Sequence, residues 1–167
     1  MRKPPKLYLA GKIKKNDFRH LIVAGLREFS HHDGPIETKD FIYVGPFFVS
    51  CDHGCYHQAG SHGVIHDDGC IGDPAGTRRD VIKRNNAALD SADLVFAYID
   101  ATDCHGTLIE LGRATAKAKN KKLVIAFAPW VDLDDFWYGA MQVDSVQYDV
   151  KASDLRELIF KELRGLK

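Results

Sequence analysis

Short, continuous apolar runs alternate along this chain with stretches in which apolar positions recur at helical spacing. Residues 6–10, followed by Gly11, read as a first strand and its turn. Asn16 or Asp17 can cap a helix over residues 18–29, where Leu21, Ile22, Leu26 and Phe29 return on one face. Residues 41–49 read as a second strand, with Pro46 arguing for a sheet edge or a break. Thr77 opens the next helix, with Asp80 at the capping-box position, and carries it to about Ser91. Residues 94–99 are wholly apolar, as in the middle strands of a parallel sheet that is covered on both faces. A helix over 107–119, an apolar strand over 123–127 and a helix over 154–163, capped by Ser153, complete the pattern.

Strands alternating with helices predict an α/β sandwich around a mostly parallel central sheet of about five strands. Ligands in such sheets bind outside the carboxyl ends of the strands. The polar, irregular segments converge on that edge: residues 11–15, 50–76, 100–106 and the stretch after Phe127. A chain of 167 residues is expected to form one domain with a real core. It has no linker, repeat or low-complexity tract.

Charge and composition narrow the function classes. Lys and Arg balance Asp and Glu, so the net charge is zero and a nucleic-acid partner is not expected. No apolar run approaches the roughly 20 residues of a membrane span. The opening Met-Arg-Lys-Pro-Pro-Lys has no apolar h-region, so no secretory leader is expected. Four cysteines do not make a disulfide scaffold, and a reducing, cytoplasmic setting is the expectation.

Candidate chemistry concentrates between residues 93 and 114. A buried strand ends in a loop holding Asp100 and Asp103, and Gly106 and Thr107 open a helix that carries Glu110 in its first turn or so. Charge at a helix N-terminus favours an ionised carboxylate. Cleavage of a glycosidic bond needs such a carboxylate beside an oxocarbenium-like carbon, with a second group helping the leaving group depart. The plain alternative is that an acidic residue near a helix start merely suits the dipole.

Tyr8-Leu-Ala-Gly11, Ser91-Ala-Asp93 ahead of an apolar strand, and Gly106-Thr-Leu-Ile-Glu110-Leu-Gly-Arg113-Ala together resemble the nucleoside 2-deoxyribosyltransferase family, which includes nucleotide N-glycosidases. The resemblance covers residues 6 to about 127. It implies a flavodoxin-like, Rossmann-like fold and no cofactor. It implies Glu110 as the nucleophile that forms a covalent glycosyl intermediate, and Tyr8 as the residue that helps hold it. It puts Asp103 at the sugar, with Asp100 as a rival because the loop differs in length. It also implies a homo-oligomer whose subunits complete one another's sites, and the aromatic, acidic residues 130–138 are expected at that interface or in a pocket wall. Family members usually carry an aspartate eight residues before the Asp93 position, where it transfers a proton to the base. This chain has Asn85 there, which can hydrogen-bond but cannot act as an acid.

Residues 50–76 hold four of the eight histidines and several cysteines, among them Cys51, His53, Cys55 and His57. These are zinc-ligand types, but the spacings do not fit a Cys-x-x-Cys knuckle pair. The expectation is a pocket loop without a metal, with a surface excursion as the bland alternative. Lys12, Lys14, Lys15 and Arg19 form a basic cluster suited to phosphate or to plain solvation. Substrate contacts are thus expected from Gly11, Lys12, His53, Asn85, Asp100, Gly106 and Thr107. The expected partners are a (deoxy)nucleoside or its 5′-monophosphate and a purine or pyrimidine base. A nucleotide-sensing module and a TIR-like NAD-cleaving enzyme are the competing classes.

Overall fold

The structure, a computed structural model, describes residues 3–14, 16–26, 34–47 and 74–166, with side chains in its first long helix described from residue 79 onward. Its elements in chain order are β1 (Lys6–Gly11), β2 (Ile36–Glu37), β3 (Ile42–Gly45), α1 (Pro74–Ser91), β4 (Leu94–Ile99), α2 (His105–Ala116), β5 (Lys122–Phe127), α3 (Trp137–Ala140), β6 (Ser145–Gln147) and α4 (Leu155–Arg164). The six strands form one sheet in the order β2-β3-β1-β4-β5-β6. Every neighbouring pair is parallel except β2 with β3. The expected α/β sandwich is therefore what forms. Its five parallel strands follow the doubly wound order of flavodoxin-like folds, whose ligand crevice lies where the order reverses, between β1 and β4.

The continuous apolar runs are the inner strands. Leu94 to Ile99 and Leu123 to Phe127 are all buried, because helices cover both faces of the sheet. Helices α1 and α2 lie together against β1, while α4 packs against β4 and closes Phe41 against Phe160. The strand starts are tied together as well. Asp93 accepts the backbone N–H of Lys6 at 2.8 Å, and the N–H of Asp93 returns a bond to the Lys6 carbonyl. Arg113 grips Asp90 with two hydrogen bonds, at 2.6 and 3.1 Å, so α2 is clamped to the end of α1. Two of the motif residues thus hold elements in place.

Several local expectations change. Residues 18–26 do not form the expected α-helix: Phe18–Leu21 make one 3-10 turn capped by Asp17, and Gly25 has φ +81°, a left-handed conformation that stops further winding. Residues 27–29 of that prediction lie outside the described residues. The strand expected over 41–49 ends at Gly45, before Pro46; it is internal, since the two-residue β2 covers its outer side. Neither β2 nor β6 was expected, because strands of two and three residues carry no readable alternation. Helix α1 begins at Pro74, where a missing N–H costs nothing, and Asp80 is an exposed residue paired with Lys83 rather than a capping-box member. Ser153 bonds Asp154 and caps no helix. No helix among the described residues is long and apolar enough to cross a membrane.

The carboxyl end of β1 is shaped by Arg19, whose side chain is wholly buried. Its guanidinium donates to the carbonyl of Leu9 at 2.8 Å, to that of Gly11 at 2.6 Å, and to Asp17 Oδ2 at 2.7 Å. With a longer bond of 3.4 Å to the Lys12 carbonyl, the planar fork serves four acceptors, which a lysine could not do. Gly11 sits inside this corner, where a Cβ would come within 2.7 Å of the Phe18 ring and 3.0 Å of the Tyr98 carbonyl. Replacing Arg19 with Met leaves the buried Asp17 with backbone N–H donors and His20 but without its guanidinium partner, so the expected loss of unfolding free energy is about 3 kcal/mol. A urea titration measures it, and a loss below about 1 kcal/mol would show that the fork does not hold the corner.

Candidate active site

The crevice at the reversal of strand order is a cleft of about 220 Å³. Its wall from β1 is Gly11, Lys12 and Ile13, and Pro46 and Asn85 line it from β3 and α1. The loop after β4 and the start of α2 supply Asp103, Cys104, Gly106, Thr107 and Glu110. Seven of the expected site residues therefore converge: Gly11, Lys12, Asn85, Asp103, Gly106, Thr107 and Glu110. Tyr8 is wholly buried beneath them and reaches the site through its hydroxyl. Asp100 does not line the cleft. His53 and the rest of residues 50–73 lie outside the described residues, as does Lys15.

Glu110 is the chemical centre of the cleft. It is the sixth residue of α2, in the second turn, one turn beyond Thr107 and on the same face. The Tyr8 hydroxyl donates to Glu110 Oε1 at 2.5 Å, a length typical of a charge-assisted O–H···O⁻ bond. Tyr8 can come so close because Gly45 on β3 has no Cβ; a Cβ there would lie 3.0 Å from the tyrosine ring. Oε1 is thereby occupied, and Oε2 makes no hydrogen bond among the described residues.

Electrostatics at this carboxyl differ from the sequence expectation. Burial pushes the Glu110 pKa up from 4.5 to about 7, while the Tyr8 hydrogen bond and the Arg19 charge pull it back. Helix-terminal charge fades within the first turn, so in the second turn desolvation wins. The same burial, with Glu110 beside it, raises the Tyr8 phenol well above its usual 10.0. This is a carboxyl poised near neutrality, a common condition of catalytic acids and bases.

The described members of the basic cluster each meet a carboxylate. Lys12 hydrogen-bonds Asp103, and Lys14 pairs with Asp100 at 2.7 Å. The Lys12 contact, as the largest effect, lowers the Asp103 pKa. Arg19 is buried in the corner described above and faces no ligand. Cys104, buried at the start of α2, was not anticipated as a lining residue, nor were Ile13 and Pro46. Only their chain neighbourhood hinted at a role: Ile13 follows the β1 turn and Cys104 lies between Asp103 and Gly106.

Residues 130–138 do not line this cleft. The Trp130 indole donates to the Asp100 carbonyl at 3.0 Å, and Trp137, Tyr138 and Met141 stand exposed beyond it. Among the described residues, no group of three His, Cys, Asp or Glu side chains could hold a metal ion. Fold and cleft together define a doubly wound α/β protein with a partly buried carboxyl at its crevice. No model of a known protein family matches the chain, and no curated protein matches it.

The raised pKa has a consequence for stability. Below about pH 4.5 Glu110 is protonated in both the folded and the unfolded chain and costs nothing. Between pH 4.5 and 7 the unfolded chain ionises first, so stability falls as pH rises, and above 7 the full cost is present. Glu110→Gln is expected to stabilise the fold by about 2–3 kcal/mol above neutrality and by almost nothing near pH 4. Unfolding curves at the two pH values measure this, and an equal effect at both would reject a buried, raised carboxyl.

Proposed function

We propose that the protein cleaves the N-glycosidic bond of a (deoxy)nucleoside or nucleoside 5′-monophosphate through a covalent glycosyl-Glu110 intermediate. The observation that carries this reading is the Tyr8–Glu110 pair, in which the phenol holds one carboxylate oxygen of a glutamate that lines the cleft. In the first step Oε2 bonds to the anomeric carbon as the carbon–nitrogen bond breaks, and the base leaves with the electron pair. In the second, water or another base attacks that carbon and the ester bond to Glu110 breaks. Two inversions give overall retention. Asp103 and Thr107, both on the cleft wall, supply hydrogen bonds to the sugar. The Lys12–Asp103 contact opens as the sugar enters. Because these exposed charges exchange partners with water freely, that opening costs little. The resemblance of the Gly106-Thr-Leu-Ile-Glu110-Leu-Gly segment to the deoxyribosyltransferases supports the same assignment. No metal or cofactor takes part in this scheme.

A second reading, a nucleotide-binding module on the same fold, is favoured by one observation: the cleft has a carboxamide, Asn85, where an acid would serve the leaving group. Product analysis on nucleosides, their monophosphates and NAD separates the readings. Glu110→Ala is expected to abolish cleavage while retaining ligand affinity. The nucleophile must be ionised, so the rate is expected to rise with pH through about 7. Tyr8→Phe removes a donor that favours the carboxylate, and moves that rise to higher pH with a rate loss of about tenfold to a hundredfold below it. Wild-type turnover in Glu110→Ala would send the search for the catalytic group elsewhere.

This reading also includes a homo-oligomer in which Trp137, Tyr138 and Met141 meet a second copy, burying side chains that the single chain leaves exposed. Sedimentation velocity is expected to show a species larger than the monomer, and Trp137→Glu with Met141→Glu to dissociate it. A monomer at all concentrations would remove the oligomer from the reading.

A further inference from the structure

The amide of Asn85 has a fixed orientation. Its Oδ1 accepts the backbone N–H of Phe47 at 2.9 Å. A backbone N–H can only donate, so the amide atom facing it must be the oxygen and not the nitrogen. Asn85 is about nine-tenths buried and lines the cleft, and its Nδ2 has no partner among the described residues. A buried donor without a partner is costly, and such groups are normally satisfied by a protein atom, water or a ligand. The Thr107 hydroxyl is buried on the same cleft and also has no bond among the described residues, but a hydroxyl both donates and accepts and so discriminates little. With Oδ1 already engaged by Phe47, the Nδ2 donor is the group that Asn85 holds without a partner among the described residues.

We infer that Asn85 is the specificity-determining residue for the leaving base, selecting one that turns an unprotonated acceptor, a ring nitrogen or carbonyl oxygen, toward its carboxamide N–H. This rests on the glycosidic reading above and adds a substrate class to it. As the carbon–nitrogen bond breaks, its electron pair moves onto the base nitrogen. The amide N–H stabilises the resulting negative charge by hydrogen bonding but keeps its proton, since a carboxamide is no acid at neutral pH. The proton that completes the free base comes from water. Bases that are stronger N–H acids, whose anions are more stable, are therefore the faster leaving groups. A site built around an unpaired donor also rejects a ligand that lacks the matching acceptor more strongly than an apolar wall rejects an extra group.

The test measures binding of free bases by calorimetry to wild type, Asn85→Leu and Asn85→Ala. Leu keeps the volume of Asn without its donor, and melting curves establish that each variant is folded. The ligands are purines, their deaza analogues with one ring nitrogen at a time replaced by C–H, and uracil with each carbonyl oxygen in turn replaced by sulfur, a weaker acceptor. In wild type, one such replacement is expected to weaken binding about tenfold, and in both variants less than about twofold. Across nucleosides graded by the acidity of the free base, kcat/KM of wild type is expected to fall steeply as the base becomes a weaker acid. An equal loss in wild type and variants, no binding of any base, or a rate indifferent to leaving-group acidity overturns the inference. Nucleoside cleavage that is lost in Glu110→Ala but shows no coupling at Asn85 removes this inference alone and leaves the glycosidic reading standing.

Discussion

A carboxyl group enclosed where burial opposes its ionisation sets the character of the whole cleft. Glu110 is partly buried on α2 against β1, and desolvation raises its pKa, while a phenol from β1 and the buried charge of Arg19 favour the anion. Neither side wins completely, so the group rests near neutrality. A surface glutamate would be ionised but solvated, and a fully apolar pocket would hold it protonated. Tyr8 does more than adjust the charge. By binding Oε1 it also fixes the orientation of the carboxyl, since rotation would break a 2.5 Å bond.

That arrangement depends on how the carboxyl edge of the sheet is built. Tyr8 and Gly11 lie on one strand, Glu110 on the helix after the neighbouring strand, and Asn85 on the helix between them. Register places Tyr8 beside Val95 and Gly11 beside Tyr98. Arg19 holds the carboxyl end of β1 by the carbonyls of Leu9 and Gly11, so the rim beside Lys12 and Ile13 leans on a buried ion pair. The Arg113–Asp90 contact performs the equivalent task at the far end of α2. Precision at the centre thus derives from interactions at both ends of the elements that carry it.

The rim itself is charged but balanced. Lys12 and Lys14 each face a carboxylate from the loop after β4; the Lys12–Asp103 pair lines the cleft, and the Lys14–Asp100 pair does not. Deeper in, the described residues place the Glu110 carboxyl, the Asn85 carboxamide and the Thr107 hydroxyl, with the Tyr8 hydroxyl bound to Glu110. Such a gradient, from solvated exchange at the mouth to fixed donors inside, is how small-molecule sites combine access with orientation.

The alternation of apolar runs and helical spacings was enough to predict the parallel sheet, because a strand covered on both faces must be apolar throughout, as Leu94 to Ile99 is. The order of Gly106, Thr107 and Glu110 behind such a strand was enough to mark the crevice, because strand ends and helix starts are adjacent in this architecture. Short-range patterns could not show the 3-10 turn at Phe18–Leu21, since it exists to seat Arg19 against carbonyls of β1. They could not separate Asp103 from Asp100, three residues apart in one loop, or distinguish a buried Arg19 from the lysines around it. Nor could they assign Glu110 a raised pKa, since the helix position argued for the opposite sign. Local sequence determined which elements form, because periodicity and capping act within a few residues. Burial, hydrogen-bond partners and the orientation of Asn85 were decided only by the tertiary structure, because each depends on groups that lie far away in the chain.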